Sequence, residues 1–384
     1  MKNRLILLRV LFCLVSSSIL IPACWAVEVA PFVFPSARSG GMGGTHVAMA
    51  DDFSTLFYNP AGFAGAKDEL SVAEISMETV GPVFDIIDAV TEFLGPAGTL
   101  DISNLVGERG LTTGFDLGGP MAFGWIGRGL GFGFFNRTYV EAKAAGIQLN
   151  ATAFEDIFLV GGYAFRLEPA SGHTIDFGFA GKGFLRASGE LGASVFSIET
   201  IIPDDPLGGI PIKMTAGVGV DVGVIYSYDS LFAVAIACRD AYSPALVSDF
   251  NSVDELLSGS SGASSEEYGR IDPSLDVGIA FSPRIDIIQR YVSSLVFAAD
   301  YRDFLDLAAL IPRNPVLNVA LGTEIVVLDA LSLRAGIADA LPNAGFGIDL
   351  SFMKFDFAMR GKELGLDPGE NPAFVMDLSL TFRY

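Results

Sequence analysis

The closing segment from Asp377 to Tyr384 puts Leu378, Leu380, Phe382 and Tyr384 on one side of the chain and Asp377, Ser379, Thr381 and Arg383 on the other. A repeat of two belongs to a strand with one apolar and one polar face; helical faces repeat every 3.6 residues. The alternation recurs upstream. Ile175, Phe177 and Phe179 oppose Thr174, Asp176 and Lys182; Leu317, Val319, Leu321 and Ile325 oppose Asn318 and Glu324; Leu331, Leu333, Ala335 and Ile337 oppose Ser332 and Arg334. The chain is 51% hydrophobic with a mean hydropathy of +0.46, yet after the first 26 residues no run of about 18 is free of charged or strongly polar side chains, so spanning helices are not expected there. Apolar residues spread this way suit strands that face lipid, because only helices and closed barrels satisfy every backbone group inside hydrocarbon.

The amino-terminal end points the same way. Residues 1–26 begin with Lys2, Arg4 and Arg9, continue through a stretch rich in Leu, Val and Ile, and close on Ala23-Cys-Trp-Ala26, the form of a secretory signal peptide cleaved after Ala26. Ile21-Pro-Ala-Cys24 also loosely resembles a lipoprotein site with Cys24 acylated, although Pro22 argues against it. The net charge of −21 becomes −24 once Lys2, Arg4 and Arg9 are lost, and so acidic a chain has no basic surface with which to hold nucleic acid. Cys13 and Cys24 lie in the leader, leaving Cys238 alone and no cysteine-based disulfide or metal cluster to expect.

Alternation and turn residues predict strands near 68–77, 120–127, 129–141, 153–166, 173–187, 213–228, 231–241, 273–283, 292–302, 315–328, 331–338, 344–352, 354–361 and 372–384. The division at Met353 follows from a slip in parity: Phe346, Ile348, Leu350 and Phe352 share one register, and Phe355, Phe357 and Met359 share the next. Connections are expected to run long and short in turn, with loops near Asn150 and Pro342-Asn343 among the long ones and tight turns at Arg128, Asp229-Ser230 and Asp329-Ala330 among the short. The fold class expected is all-β: a transmembrane antiparallel β-barrel of about 14 strands in a single domain. Dense glycines, Gly127, Gly129, Gly131 and Gly133 in one place and Gly217, Gly219 and Gly223 in another, suit bends and close packing against an internal plug.

Before the first strand lies a segment too glycine-rich and irregular to cross a membrane. It contains Gly41-Met-Gly-Gly44, then Val47-Ala-Met-Ala-Asp-Asp52, then Asn59-Pro-Ala-Gly62. Read physically, it is a compact coil followed by a short helix, with Asp51 or Asp52 as its cap and Asn59-Pro60 as the turn that stops it. In a barrel it belongs in the lumen. These three motifs, in this order just after a signal, resemble the FadL and TodX group of outer-membrane long-chain fatty-acid and hydrocarbon transporters, together with PorV-like relatives. The resemblance rests directly on about 30 residues, and the barrel length, strand number and terminal aromatic agree with it. It implies residues 1–26 as signal peptide, 27–66 as an N-terminal hatch plugging the lumen and 67–384 as the barrel. Gly41, Gly43, Gly44, Asp51, Asp52, Asn59, Pro60 and Ala61 then form the hatch motif. It also implies an outer membrane of Gram-negative or spirochaete type, with outer-membrane lipids and, through the terminal Phe382 and Tyr384, the barrel assembly machinery as partners. No ligand-contacting loop residue of the fatty-acid transporters aligns here, so cargo is not inherited.

The segment Val83 to Leu94 carries a helical apolar stripe that includes Phe84, Ile87, Val90, Phe93 and Leu94, which fits either a lid over an apolar cavity or a helix packed on the rim. Lys182, Arg186 and Arg334, with Lys354 and Arg360, fall on inward faces, where they pair with lumen or hatch acids such as Asp51 and Asp52, or receive a ligand carboxylate. His46 and His173 are too scattered for a metal or catalytic set; no cofactor is implied and catalysis is not expected. The expected activity is transport of small hydrophobic molecules, with a PorV-like role of engaging a protein partner as the alternative. An open diffusion porin does not agree with a plugged lumen.

Overall fold

A computed structural model describes residues 26–82, 110–145, 148–194, 210–258, 263–284 and 291–384. Among them, fourteen spanning strands form one antiparallel ring. They are β1 (Glu69–Val80), β2 (Leu111–Gly118 with Phe123–Gly127), β3 (Leu130–Ala145), β4 (Gln148–Ala170), β5 (His173–Ser194), β6 (Ile212–Tyr228) and β7 (Phe232–Tyr242 with Pro244–Phe250). The ring continues through β8 (Ser265–Arg270 with Ser274–Phe281), β9 (Val292–Tyr301), β10 (Val319–Val327), β11 (Leu331–Ala338), β12 (Leu341–Asp349), β13 (Met353–Glu363) and β14 (Pro372–Arg383). β2 and β7 pair through both halves with the strands on either side, and β8 does so with β7. Closure comes from β14 on β1, where Leu378 stands opposite Met77 and Leu380 opposite Ile75.

The wall is inverted relative to a water-soluble protein. Phe132, Leu159, Phe179, Val218, Ile236, Phe297 and Leu333 point outward and are about half exposed. Asp116, Asp156, Asp176, Asp221, Asp276, Asp300, Glu324, Asp356 and Asp377 point inward and are buried. Each large apolar side chain left in water would forgo about 1.5–3 kcal/mol of burial, so the outer surface is stable only against hydrocarbon. Among the described residues no helix is long and apolar enough to cross a membrane; the crossing is made by strands.

The strands expected from alternation are all present, with corrections. Leu111–Gly118 extends β2 well upstream of Pro120, because Thr112, Gly114, Asp116 and Gly118 alternate too weakly in hydropathy to be seen. Asn150 lies inside β4 opposite Lys143, not in a loop. Pro342 and Asn343 lie inside β12; the turn is Asp339-Ala340, whose positive φ values of 53° and 60° give the primed geometry that matches strand twist. The strict long–short order therefore fails at β11–β12. Leu317 is fully buried in the 3-10 turn Pro315–Asn318 and does not share the outward face of Leu321. The parity slip is resolved by Leu350-Ser-Phe352, with β12 and β13 on either side.

The rim is uneven, since β4 has 23 residues and β11 only 8. β9 pairs with β8 only from Val277 to Phe281, and the free edge of the upper half of β8 is taken by Val27–Glu28 in parallel register. On this short side the wall is continued by loop residues, including the 3-10 turns Phe304–Ala308 and Pro315–Asn318.

From Val29 onward the N-terminal segment packs on the inward wall. Phe32, Phe34, Phe53, Leu56 and Phe63 join Phe135, Phe158 and Phe184 in one cluster. Elsewhere the wall makes room with glycine. A methyl carbon added to Gly178 would collide with the Pro60–Ala61 peptide, at Gly223 with Asn59 Oδ1, at Gly322 with Met42 and Thr45, and at Gly131 or Gly162 with Phe63. The fit is a shape match around much of the ring. Gly178→Leu is therefore expected to leave the N-terminal segment undocked and open to protease in detergent, whereas Gly183→Leu, on the outward face where a side chain would meet open space, leaves it protected. Equal protection of both variants would contradict the fit.

Candidate functional site

Residues of the Gly-rich motif are shaped by local bonds as well as by the wall. Ser36 opens the helix α1 (Ala37–Gly41) by accepting from the Ser39 N–H, and Gly43 and Gly44 end it at φ 71° and 83°, a region other residues enter only with strain. Neither Asp51 nor Asp52 caps the next helix, α2 (Thr55–Tyr58); its N-cap is Ser54. Asp52 instead accepts the Ser54 N–H in an Asx turn, freeing its second oxygen for Arg38. Asn59 does both jobs expected of a stop: its Oδ1 accepts from the Ala61 N–H at 3.1 Å, and its Nδ2 ties back to the Val47 carbonyl at 2.9 Å.

Arg38 is the centre of a buried ion network joining this segment to the barrel. Its Nη1 donates to Asp51 and Asp52, both at 2.7 Å, and its Nε and Nη2 hold Glu324 of β10 in a two-bond fork at 3.0 and 2.8 Å. Glu324 also receives Arg334 of β11 at 2.6 Å, Arg334 donates to Asp356 of β13 at 2.6 Å, and Lys354 Nζ lies 3.4 Å from Asp356 and 3.8 Å from Asp52. Burial by itself would push the Asp52 carboxyl up, but Arg38, with His46 and Lys354, holds it well below the ordinary carboxylate range. The backbone N–H groups of His46 and Val47 donate to Asp300 of β9 at 2.7 and 3.0 Å. The His46 ring meets Ser54 Oγ at 2.8 Å through Nε2, and Asp52 approaches that same nitrogen at 3.6 Å. In a serine-hydrolase triad the carboxylate orients the other ring nitrogen, so this trio is structural.

The remaining inward cations are paired. Lys182 lies between Asp221 at 2.9 Å and Asp240 at 2.8 Å; Arg186 holds Asp156 at 2.6 and 2.8 Å and donates to the Ala30 carbonyl; Arg360 holds Asp377 and Glu78. The stripe Phe84, Ile87, Val90, Phe93 and Leu94 lies outside the described residues.

A cavity of about 810 Å³ lies between the N-terminal segment and the longer loops. Phe34, Ser39, Gly43, Gly44 and Tyr58 of the N-terminal segment line one side of it. Arg137, Tyr139, Phe154, Arg186 and Arg239 line its tall wall, and Arg302, Arg313, Asp339, Asn343 and Arg360 line the short one. Of these arginines, the sequence singles out only Arg186 and Arg360. Strand parity places Arg137 and Arg239 inward in principle; Arg302 and Arg313 sit beyond strand ends, where no period applies.

Structural comparison then decides the fold. A TodX monoaromatic hydrocarbon channel variant superposes with a TM-score of 0.50 at 11% identity, covering 91% of this chain and 98% of that one. The chain has the TodX channel fold. Similar coverage is found for the CymD monoaromatic hydrocarbon channel (13% identity, 90% and 96% covered, TM-score 0.47) and a Pseudomonas aeruginosa FadL homologue (12%, 92% and 99%, 0.46). No family model matches the sequence, and no curated protein does.

Two outcomes test the ion network. Glu324→Leu strips both Arg38 and Arg334 of their shared partner and is expected to cost about 3–5 kcal/mol, read as a lower denaturant midpoint in detergent. Because the folded Asp52 carboxyl titrates below its unfolded value of about 3.9, its contribution is complete above that pH and is lost as pH falls through the lower, folded value. Protection of the N-terminal segment should therefore decline only below about pH 4, and an Asp52→Asn variant should lack that part of the decline.

Proposed function

We propose that the chain is an outer-membrane conduit for small hydrophobic molecules, long-chain fatty acids or compounds of similar character. In this reading residues 1–26 are the signal peptide and 27–66 the hatch, and the end with longer loops faces the exterior. Phe382 and Tyr384, both exposed at the end of β14, are the contact for the assembly machinery. The carrying observation is the cavity of about 810 Å³ above the N-terminal segment, a volume suited to a small organic ligand and bordered by a wall that is apolar outside. Solved proteins of the same fold include one described as a monoaromatic hydrocarbon channel, which supports the reading.

Cargo arriving at the loop end rests in the cavity and passes on when the hatch shifts or through the wall. Since the hatch is held by the Arg38 network and by shape, free diffusion of ions is not expected. In cells lacking the gene, uptake of labelled oleate or toluene should fall and should return with the intact chain. Unchanged uptake, a steady ion conductance in planar bilayers, or a stoichiometric protein partner occluding the lumen would each defeat the proposal.

A further inference from the structure

The cavity over the N-terminal segment is lined by more basic groups than an apolar cargo needs. On its tall side Arg137 lies 5.5 Å from the Tyr139 ring centre and 5.3 Å from that of Phe154, and Arg186 lies 4.3 Å from Phe154 and 4.2 Å from Phe32. These flat guanidinium and aromatic faces suit a planar ring, which gains stacking and cation–π attraction from them; an alkyl chain gains neither and strips the guanidinium of water.

On the short side, Arg302 and Arg313 converge on one carboxylate oxygen, donating to Asp339 Oδ1 at 2.8 and 3.1 Å. Of the other acids lining or flanking the cavity, Glu78 is held by Arg360 and Asp116 by Arg137, while Asp306 and Glu363 are occupied by neutral donors. Asp306 accepts from the Arg313 N–H and from Asn318 Nδ2, both at 3.1 Å, and Glu363 is caged by the N–H groups of Gly365, Gly369 and Asn371 at 2.9, 2.7 and 2.6 Å. Asn343 lines the same cavity and is only 5% exposed. Its Oδ1 accepts from the Gly361 N–H at 3.3 Å, while its buried Nδ2 has no acceptor among the described residues. A buried donor left without a partner is a standing cost that an incoming acceptor would remove.

We propose that this cavity is a site for a compact aromatic acid, its carboxylate set among Arg302, Arg313 and Asn343 Nδ2 and its ring against the aromatic and guanidinium faces of the cavity. Carboxylate oxygens match paired guanidinium donors, and the amide supplies one more. The inference rests on the transport reading for its biological sense and narrows the cargo to an anion with a flat apolar body.

The test uses the purified full-length mature chain in detergent, with 2-naphthoate as probe, 2-naphthamide as its neutral counterpart and palmitate as the long-chain acid. Naphthoate is expected to bind at least tenfold more tightly than either, and less tightly as salt rises. Asn343→Asp keeps the acceptor for Gly361 but turns the free donor into a carboxylate; it should weaken naphthoate at least tenfold and leave naphthamide unchanged. Arg313→Gln should act in the same direction, with folding of both variants checked by heat-modifiable mobility. Equal binding of naphthamide, stronger binding of palmitate, or indifference to Asn343→Asp would overturn the site. Uptake separates the two ideas. If naphthoate binds as stated but loss of the gene leaves all uptake unchanged, the transport reading fails and the site stands; if hydrocarbon uptake needs the protein while naphthoate binds no better than its amide, the reverse holds.

Discussion

A peptide group inside hydrocarbon has no water to bond, so every strand must find a partner on both sides, and the last must find the first. The pairing of β14 with β1 meets that demand, and much else follows from it. Once the ring is closed, alternate residues are forced either into lipid or into a lumen of fixed width. Apolar side chains take the first environment. The second receives acids such as Asp156, Asp221 and Asp377, which are tolerable in so dry a place only because Arg186, Lys182 and Arg360 stand against them.

The same closure explains why the N-terminal segment is glycine-rich and why its counterpart surface is too. A lumen of fixed width leaves little slack for two layers of side chain, so the segment presents Gly41, Gly43 and Pro60 where the wall presents Gly345, Gly336 and Gly178. Where the wall is wide, phenylalanines from both layers fill the space. Shape alone would permit sliding. Arg38 removes that freedom by joining Asp51 and Asp52 on its own segment to Glu324 on the wall.

Function enters where this packing stops. Above Phe34, Ser39, Gly43 and Tyr58 the segment leaves a space in the lumen, the wall on the β9–β12 side is short, and loop residues complete it. The cavity left there inherits the charged lining of the lumen without its close packing. A lumen that must pair its own charges keeps donors poised for a guest, and Asn343 is, among the described residues lining this cavity, the one with a buried side-chain donor left without a partner.

Much of this was legible in one dimension. Parity gave the wall, since a period of two needs no partner to be recognised; it located Lys182, Arg186 and Arg334 inside and resolved β12 from β13 at a single slip. It failed where the period is interrupted: the weakly alternating Leu111–Gly118, the turn at Asp339-Ala340, and Leu317, whose place in the outward series ended at a 3-10 turn. The motif around Asn59 announced a stop, because an Asn side chain bonds its own backbone two residues on. Sequence by itself thus determined which strand residues face outward and that the segment from Gly41 to Gly62 is too irregular for a wall strand, both being properties of neighbours along the chain. Only the tertiary structure decided that Arg38 meets Glu324, 286 residues away, and that Arg302, Arg313 and Asn343 share one cavity. Those encounters depend on how a closed ring brings distant strand ends and loops together, and no local period records that.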